Sequence, residues 1–170
     1  MFDYAIEFLN RIKNGDYIFL TFSGPTEIGK TLLLKDIERF IRSHKRFFKF
    51  DYKRNEDLFT RYGTLKEIVD KTLEERNKYY YNTKYCGVLF IEELFSPRIS
   101  PSNQYHSLLI DVAFDIINSR SGKCNVLDTN KTIEELEEID IRIVSRIHRN
   151  NSIFVDIPSN VKPYSSRIKK

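Results

Sequence analysis

The apolar positions of the chain follow two patterns. In some segments they recur at helical spacing, and in others they form short continuous runs of β-branched and aromatic residues, which are typical of buried strands. The helical pattern predicts helices at residues 2–13, 30–43, 55–81 with an interruption near Gly63, 104–119, a segment capped by Thr132, and 140–147. The continuous runs predict strands at residues 17–22, 47–52, 86–93, 125–128 and 153–157. This alternation predicts an α/β fold with a mainly parallel five-stranded sheet flanked by helices.

The 170 residues have the length of one domain. Neither an internal repeat nor a low-complexity linker divides them, and residues 158–170 form a basic tail after the last predicted strand. We therefore expect a single domain over residues 1–170 that begins with the short helix at 2–13 and has no separate helical lid domain.

Composition adds limits on the class of protein. The net charge of +4 is compatible with a nucleic-acid partner, and a solvated lysine-rich surface gives the same value. Cys86 and Cys124 lie in apolar runs without the spacing of metal ligands, so we expect buried free thiols in a reducing compartment. The N-terminal segment carries Asp3 and Glu7, and no apolar run has the length of a signal peptide core or a membrane span. These features predict a soluble cytoplasmic protein that does not bind membranes.

The strongest chemical motif joins the first strand to the second helix. Residues 24–31 read GPTEIGKT, which matches G-x-x-x-x-G-K-[ST] between a strand and a helix. Backbone N–H groups in such a loop and at the helix N-terminus favour a polyphosphate. We expect ATP or ADP with Mg²⁺ here, Lys30 pairing with the β- and γ-phosphates and the Thr31 hydroxyl binding the metal. The expected nucleotide-binding residues are Gly24, Pro25, Thr26, Glu27, Ile28, Gly29, Lys30, Thr31 and Leu32.

Two glutamates end the strand predicted at residues 86–93. A P-loop enzyme uses a carboxylate at a neighbouring strand end to hold Mg²⁺, and often a second one to polarise the attacking water. We assign the metal-side role to Glu92 and the role of base to Glu93. In the alternative interpretation, both glutamates simply leave the strand at its solvent end.

Three further segments each allow two interpretations. Asn130, at the end of the next strand with Asp128 and Thr129, either orients the attacking water or belongs to an Asx turn. Arg142 and Arg146, one helical turn apart, form either a solvated basic face or a finger that reaches a neighbouring subunit's nucleotide. The tyrosine-rich residues 78–85 either stack on bases or pack as a helix end.

The order of the motifs resembles the ATPase domain of the DnaC/DnaI helicase loaders, and of the related IstB transposition helpers, within the AAA+ class. The residues that carry the resemblance are GPTEIGKT at 24–31, VLFIEEL at 88–94, IINSR at 116–120, LDTNKTIEELEE at 127–138, RIVSRI at 142–147, NSIFV at 151–155 and PYSSRI at 163–168. The resemblance implies a Walker B pair at Glu92 and Glu93, sensor 1 at Asn130, and a trans-acting arginine finger at Arg146 supported by Arg142. It also implies an ATPase that acts in replication with a helicase and single-stranded DNA, as a nucleotide-dependent homo-oligomer.

Several residues depart from the pattern of this class. Glu27 and Ile28 stand where a glycine and a small residue are usual, and Glu92 replaces an aspartate. Ser165 stands where a sensor 2-like arginine is often found, and Arg167 could take the place of that arginine. These departures leave open a nucleotide-dependent binding module with little turnover, or an IstB-like transposition helper. The candidate DNA contacts are Lys45, Arg46, Arg98, Arg167, Lys169 and Lys170.

Overall fold

A computed structural model of the chain describes residues 1–48, 60–70, 73–95, 103–149 and 151–161. The elements of this part are α1 Phe2–Lys13, β1 Phe19–Ser23, α2 Lys30–Ser43, β2 Thr60–Thr64, α3 Leu65–Val69, α4 Leu73–Tyr85, β3 Val88–Glu92, α5 Asn103–Ser119, β4 Cys124–Thr129, α6 Ile133–Ile147 and β5 Ile153–Asp156. The strands form one sheet in the order β2-β3-β4-β1-β5, and every pair is parallel. The predicted α/β fold with a parallel five-stranded sheet is confirmed.

The strand order determines where the polar strand ends meet. β1 pairs with β4 on one side and with β5 on the other, although β4 is far from β1 in sequence. In a parallel sheet the carboxyl ends of all strands lie along one edge, and ligands bind where the strand order switches direction. The segments that follow β1, β3 and β4 therefore lie next to one another at this edge.

Helices cover both faces of the sheet. One apolar cluster joins the sheet to α1 and α2 and includes the fully buried side chains of Phe8, Phe22 and Leu34. A second cluster joins the other face to α3, α5 and α6 and includes Ile116 and Ile147. Because both faces are covered, β1 and β4 are buried at every position, which explains their lack of apolar–polar alternation.

The prediction of the second strand at residues 47–52 is wrong where the structure tests it. Lys45–Phe47 forms a short 3-10 helix, and residues 49–52 lie outside the described part of the chain. The strand beside β3 is β2, Thr60–Thr64, inside the segment that was predicted to be helical. As the outermost strand of the described sheet, β2 does not need a continuous apolar run. Its glycine, Gly63, is unfavourable in strands as well as in helices, so it gives no signal for a strand.

The helix α6 consists of two helical parts, as predicted. Thr132 caps the first part, and it forms a capping box with Glu135 in which both reciprocal hydrogen bonds are present. At Asp140 the backbone leaves helical geometry (φ −163°, ψ 105°). The Asp140 Oδ1 accepts a hydrogen bond from the Arg142 N–H at 2.8 Å, so Asp140 caps the second part.

A completely buried arginine lies at the end of the sheet that is opposite to the loop at residues 24–31. Arg120 follows α5, and its guanidinium donates hydrogen bonds to Asn125 Oδ1 and to the carbonyl oxygens of Thr83, Cys86, Gly87 and Cys124. All five acceptors are neutral, and burial lowers the pKa of Arg120. The contacts tie the end of α4 to the starts of β3 and β4. Cys86 and Cys124 beside it are buried free thiols, as predicted.

None of the helices in the described part of the chain combines the length and the apolar character that crossing a bilayer requires.

Candidate functional site

The loop between β1 and α2 depends on glycine at two positions. Gly24 has φ 141°, and a Cβ atom there would lie 2.7 Å from the carbonyl oxygen of Ile157. Gly29 has φ 97° and is the N-cap residue of α2. Both backbone conformations favour glycine, and the first also leaves no room for a side chain. The loop therefore brings its backbone to the N-terminus of α2, where N–H groups lack helical partners.

The two unusual residues of the loop have different environments. Glu27 adopts φ 63°, a left-handed conformation that costs a non-glycine residue about 1–2 kcal/mol. Its side chain is exposed to solvent. Ile28 is only 2% exposed and belongs to the apolar cluster beneath α1 and α2. Ile28 thus fastens the loop to the core, and Glu27 directs its carboxylate outward.

Lys30 connects the loop to the end of β4. Its Nζ donates hydrogen bonds to the carbonyl oxygens of Gly24 at 2.7 Å and Pro25 at 2.6 Å, and to Asn130 Oδ1 at 2.8 Å. Burial lowers the pKa of Lys30, and the nearby carboxylates of Asp128 and Glu93 oppose this shift. The predicted phosphate-binding lysine and the predicted sensor are therefore in direct contact.

Asp128 is a buried carboxylate that lies beside Lys30, Thr31 and the backbone of Glu93. Its Oδ2 accepts a hydrogen bond from Thr31 Oγ1 at 2.9 Å, and its Oδ1 accepts one from the Glu93 N–H at 2.6 Å. Burial raises the pKa of Asp128, while the bonds from Glu93 and Thr31 and the charge of Lys30 oppose this shift. Sequence reasoning placed Asp128 at the end of the strand at residues 125–128 and gave it no role in the site. The available signal was a carboxylate at the end of a strand, two residues before the predicted sensor.

Backbone contacts fasten the end of β4 to the loops on both sides. The Leu94 N–H donates to the Asp128 carbonyl at 2.8 Å, and Thr129 Oγ1 donates to the Leu94 carbonyl at 2.8 Å. On the other side the Gly24 N–H donates to the Thr129 carbonyl at 3.3 Å. The end of β4 thus fixes the position of the loop at residues 24–31 relative to the two glutamates.

The two glutamates after β3 differ in position. Glu92 is the last residue of β3, and its Oε2 lies 4.0 Å from Lys35 Nζ on α2. Glu93 is exposed and adopts φ 53°. In the described residues no group of three or more His, Cys, Asp or Glu side chains is arranged to hold a metal ion. Mg²⁺ in nucleotide sites is usually bound by one or two protein groups together with water and phosphates, and the Thr31 hydroxyl beside buried Asp128 fits that mode of binding.

The structure places Arg142 and Arg146 against α5. Their contacts are not with the residues at the loop, which are Lys30, Thr31, Asp128 and Asn130. The Arg142 Nη2 lies 2.6 Å from Asp140 Oδ2, and its guanidinium packs 4.3 Å from the centre of the Phe114 ring. The Arg146 Nε donates to Asn118 Oδ1 at 3.1 Å. Hydrogen bonding to Asp140 raises the pKa of Arg142.

The other predicted contacts are spread over the molecule. Lys45 and Arg46 follow the C-terminal end of α2, opposite to the loop, and both are exposed. In the tyrosine-rich segment Tyr79 is buried, whereas Tyr81 is 44% exposed, so this helix end packs through part of its aromatic residues. The positions that lie outside the described residues are Arg98, Ser165, Arg167, Lys169 and Lys170.

Solved structures with the same arrangement of strands and helices identify the fold. Domain III of the Thermotoga maritima replication initiation protein DnaA matches 92% of this chain with a TM-score of 0.62 and 22% identity. The DnaC helicase loader matches 90% of this chain with a TM-score of 0.61 and 18% identity. The chain shares the fold of these two proteins. The loader-like resemblance expected from the order of the motifs is confirmed for the fold.

A further structural neighbour is the replication initiator DnaA bound to AMPPCP and single-stranded DNA, with a TM-score of 0.63 and 16% identity over 92% of this chain. The match covers 87% of the DnaC loader, but 61% of the DnaA domain III chain and 45% of the longer DnaA chain. The chain therefore spans less than two thirds of the length of these DnaA chains. No protein-family model and no curated protein matches the sequence.

Proposed function

We propose that the chain binds ATP or ADP with Mg²⁺ at residues 24–32 and hydrolyses ATP. The observation that carries this proposal is the convergence of Lys30, Thr31, Asp128 and Asn130 at one edge of an AAA+ sheet. The group presents a buried cation, a hydroxyl, a carboxylate and an amide next to a helix N-terminus. This is the set of groups that a phosphoryl-transfer site uses for positioning and for charge stabilisation.

Each residue has a defined task in this proposal. The backbone of the loop and Lys30 bind the phosphates, and Thr31 together with a strand-end carboxylate holds Mg²⁺, which neutralises phosphate charge when it is bound. Glu93 orients the attacking water and accepts its proton, and Asn130 orients the γ-phosphate or that water. The hydrogen bond from the Glu93 N–H to Asp128 supports this task, because it fixes the backbone while the side chain is exposed.

The proposed context is DNA replication in the cytoplasm, with single-stranded DNA and a replicative helicase as partners. The support is the likeness of the fold to a DnaA bound to AMPPCP and single-stranded DNA and to the DnaC helicase loader. Exposed Lys45 and Arg46 are candidate phosphate contacts within the described chain. In this proposal the protein acts as a nucleotide-dependent homo-oligomer. Arg146 binds Asn118 and not the chain's own Lys30, Thr31, Asp128 or Asn130, so it would act on the nucleotide of a neighbouring subunit.

Replacement of Glu93 by glutamine is expected to reduce ATP turnover by about 100-fold or more, because the base is lost while the phosphate-binding groups remain. Phosphate release is measured with and without single-stranded DNA, together with the affinity for a fluorescent ATP analogue. Wild-type turnover should rise with DNA, and analogue affinity should change little in the variant. Glu137→Gln, an exposed position on α6, is the matched control. Full turnover by the Glu93 variant would contradict the assigned role.

The second candidate function is a nucleotide-dependent binding module with little turnover. It is favoured by the position of Glu92, whose carboxylate lies beside Lys35. This candidate would be selected if the wild type binds nucleotide but does not hydrolyse it, either with or without DNA. An IstB-like transposition helper shares the chemistry of the first candidate and differs in its partner, so association with a transposase and not with a helicase would select it.

Replacement of Arg146 by alanine is expected to reduce turnover by about 1,000-fold if the arginine acts on a neighbouring subunit's nucleotide. Mixing this variant with a Lys30→Ala variant should restore part of the turnover, since an intact loop of one protein then meets an intact arginine of the other. Phosphate release is measured over a range of mixing ratios. Arg149→Ala is the matched control, because exposed Arg149 also binds the segment that follows α5, through Ser121. A loss that mixing does not restore would argue against action in trans.

A further inference from the structure

The Thr31 hydroxyl donates its hydrogen bond to Asp128, whereas the order of the motifs assigns the metal-side role to Glu92. We propose that Asp128 at the end of β4, and not Glu92 at the end of β3, is the carboxylate that positions Thr31 for Mg²⁺. The inference rests on the proposed nucleotide site and goes beyond it, because it moves the metal-side role to a different strand. Asp128 is a positioning residue in this assignment, since it acts through Thr31.

The direction of the hydrogen bond supports the assignment. A threonine hydroxyl has one proton to donate and two lone pairs. Because the Thr31 O–H donates to Asp128 Oδ2 at 2.9 Å, the lone pairs of Oγ1 point away from Asp128 and are available to a cation. The carboxylate thereby fixes the orientation that a metal ligand at this position needs.

Burial distinguishes the two carboxylates. Asp128 is 1% exposed and has two hydrogen bonds, to Thr31 Oγ1 and to the Glu93 N–H, that fix both of its oxygens. The Glu92 side chain is 22% exposed, and its Oε2 lies 4.0 Å from Lys35 Nζ. An ion pair at that distance and exposure holds its partners only loosely. The Glu92 carboxylate thus lies beside Lys35 on α2, whereas Asp128 is fixed against the first turn of that helix.

The order of the strands brings the Asp128 carboxylate next to the loop. β4 pairs directly with β1, whereas β3 is separated from β1 by β4. Neighbouring strands lie about 4.8 Å apart, so β3 is about 10 Å from the strand that leads into the loop. A short aspartate on β4 reaches Thr31 across a single strand spacing. The same residue also holds the Glu93 backbone, so one side chain sets the distance between the Thr31 hydroxyl and the proposed base.

The test compares nucleotide affinity with and without the metal in the full chain. A fluorescent, non-hydrolysable ATP analogue is titrated in excess Mg²⁺ and again in EDTA, and the ratio of the two dissociation constants gives the gain due to Mg²⁺. Asp128→Asn is expected to reduce this gain by about tenfold or more and to leave the affinity in EDTA within about threefold. Glu92→Gln should reduce the gain by less than about threefold. Asp156→Asn, an exposed carboxylate at the end of β5, is the matched control.

Binding of Mn²⁺ provides a second readout, which does not depend on turnover. Electron paramagnetic resonance of Mn²⁺ with the protein and the same analogue should show weaker metal binding in Asp128→Asn than in Glu92→Gln. Asp128→Ser, a smaller neutral acceptor, is the second variant if the amide prevents folding, and the same loss is expected from it. Thermal unfolding of each variant shows whether the fold is retained.

The outcomes separate this assignment from the proposed function. Loss of the Mg²⁺ gain in Glu92→Gln, with the gain retained in Asp128→Asn, would overturn the assignment and leave the nucleotide site intact. An equal loss of affinity in Mg²⁺ and in EDTA for the Asp128 variants would reduce Asp128 to a structural residue and would also overturn it. A wild-type chain that binds no nucleotide under either condition would overturn the proposed function itself.

Discussion

Replacement of Lys30 by alanine is expected to weaken the binding of ATP by about 100-fold or more and to remove measurable turnover. Lys30 is 5% exposed, and its Nζ is surrounded by the Gly24 and Pro25 carbonyls and by Asn130. A buried cation that pairs with phosphate contributes several kcal/mol to binding, and its removal leaves the phosphate charge unpaired. Isothermal titration calorimetry with a non-hydrolysable analogue measures the loss.

Lys66→Ala is the matched control, because Lys66 is an exposed lysine on α3. It is expected to bind the analogue as the wild type does. Far-UV circular dichroism of both variants tests whether the fold is retained. A Lys30 variant that still hydrolyses ATP at the wild-type rate would refute the proposed enzymatic activity.

Replacement of Arg120 by methionine is expected to lower the free energy of unfolding by about 3–5 kcal/mol. Methionine fills much of the volume but donates no hydrogen bonds, so four buried carbonyls and the Asn125 side chain lose the partner that Arg120 supplies. Each buried polar group left without a partner costs about 1–3 kcal/mol, and relaxation of the neighbouring chain recovers part of the sum. Urea denaturation followed by circular dichroism measures the change.

The exposed Arg149 gives the matched control for this substitution. Arg149→Met should change the free energy of unfolding by less than about 0.5 kcal/mol, since surface replacements away from buried networks have small effects. Arg120→Lys is expected to remain destabilising, because an ammonium group cannot reproduce the planar set of donors. A loss below about 1 kcal/mol in Arg120→Met would contradict the structural role of the buried guanidinium.

The parts of the fold that the sequence predicts are those with a local signature. The loop at residues 24–31 combines fixed glycine positions with a strand before it and a helix after it, and all of these occur within one short segment. The Thr132 capping box and the break at Asp140 are equally local, because the residues that form them are at most three apart. The continuous apolar runs identified β1 and β3 because both faces of the sheet are covered.

The features that were missed depend on distant partners. The outer strand β2 is held by backbone pairing with β3, and its polar residues and glycine carry no periodic signal of a strand. The contact between Asp128 and Thr31 spans 97 positions in sequence and follows from the pairing of β4 with β1. From sequence alone the strand order is unknown, so the contact between Asp128 and Thr31 could not be predicted.

The break at Asp140 divides α6 into two units that are attached to different neighbouring elements. The first part begins at Thr132, immediately after the end of β4, whereas the second part has its own cap and attaches its arginines to Phe114 and Asn118 on α5. A non-helical residue between them interrupts the continuous hydrogen-bond ladder that makes a helix act as a rigid rod. The surface that carries Arg146 is thus anchored to α5 independently of the strand that ends at Asn130. Substitutions can alter the geometry of one unit without displacing the other, so the proposed nucleotide site and the proposed trans-acting arginine can be changed separately.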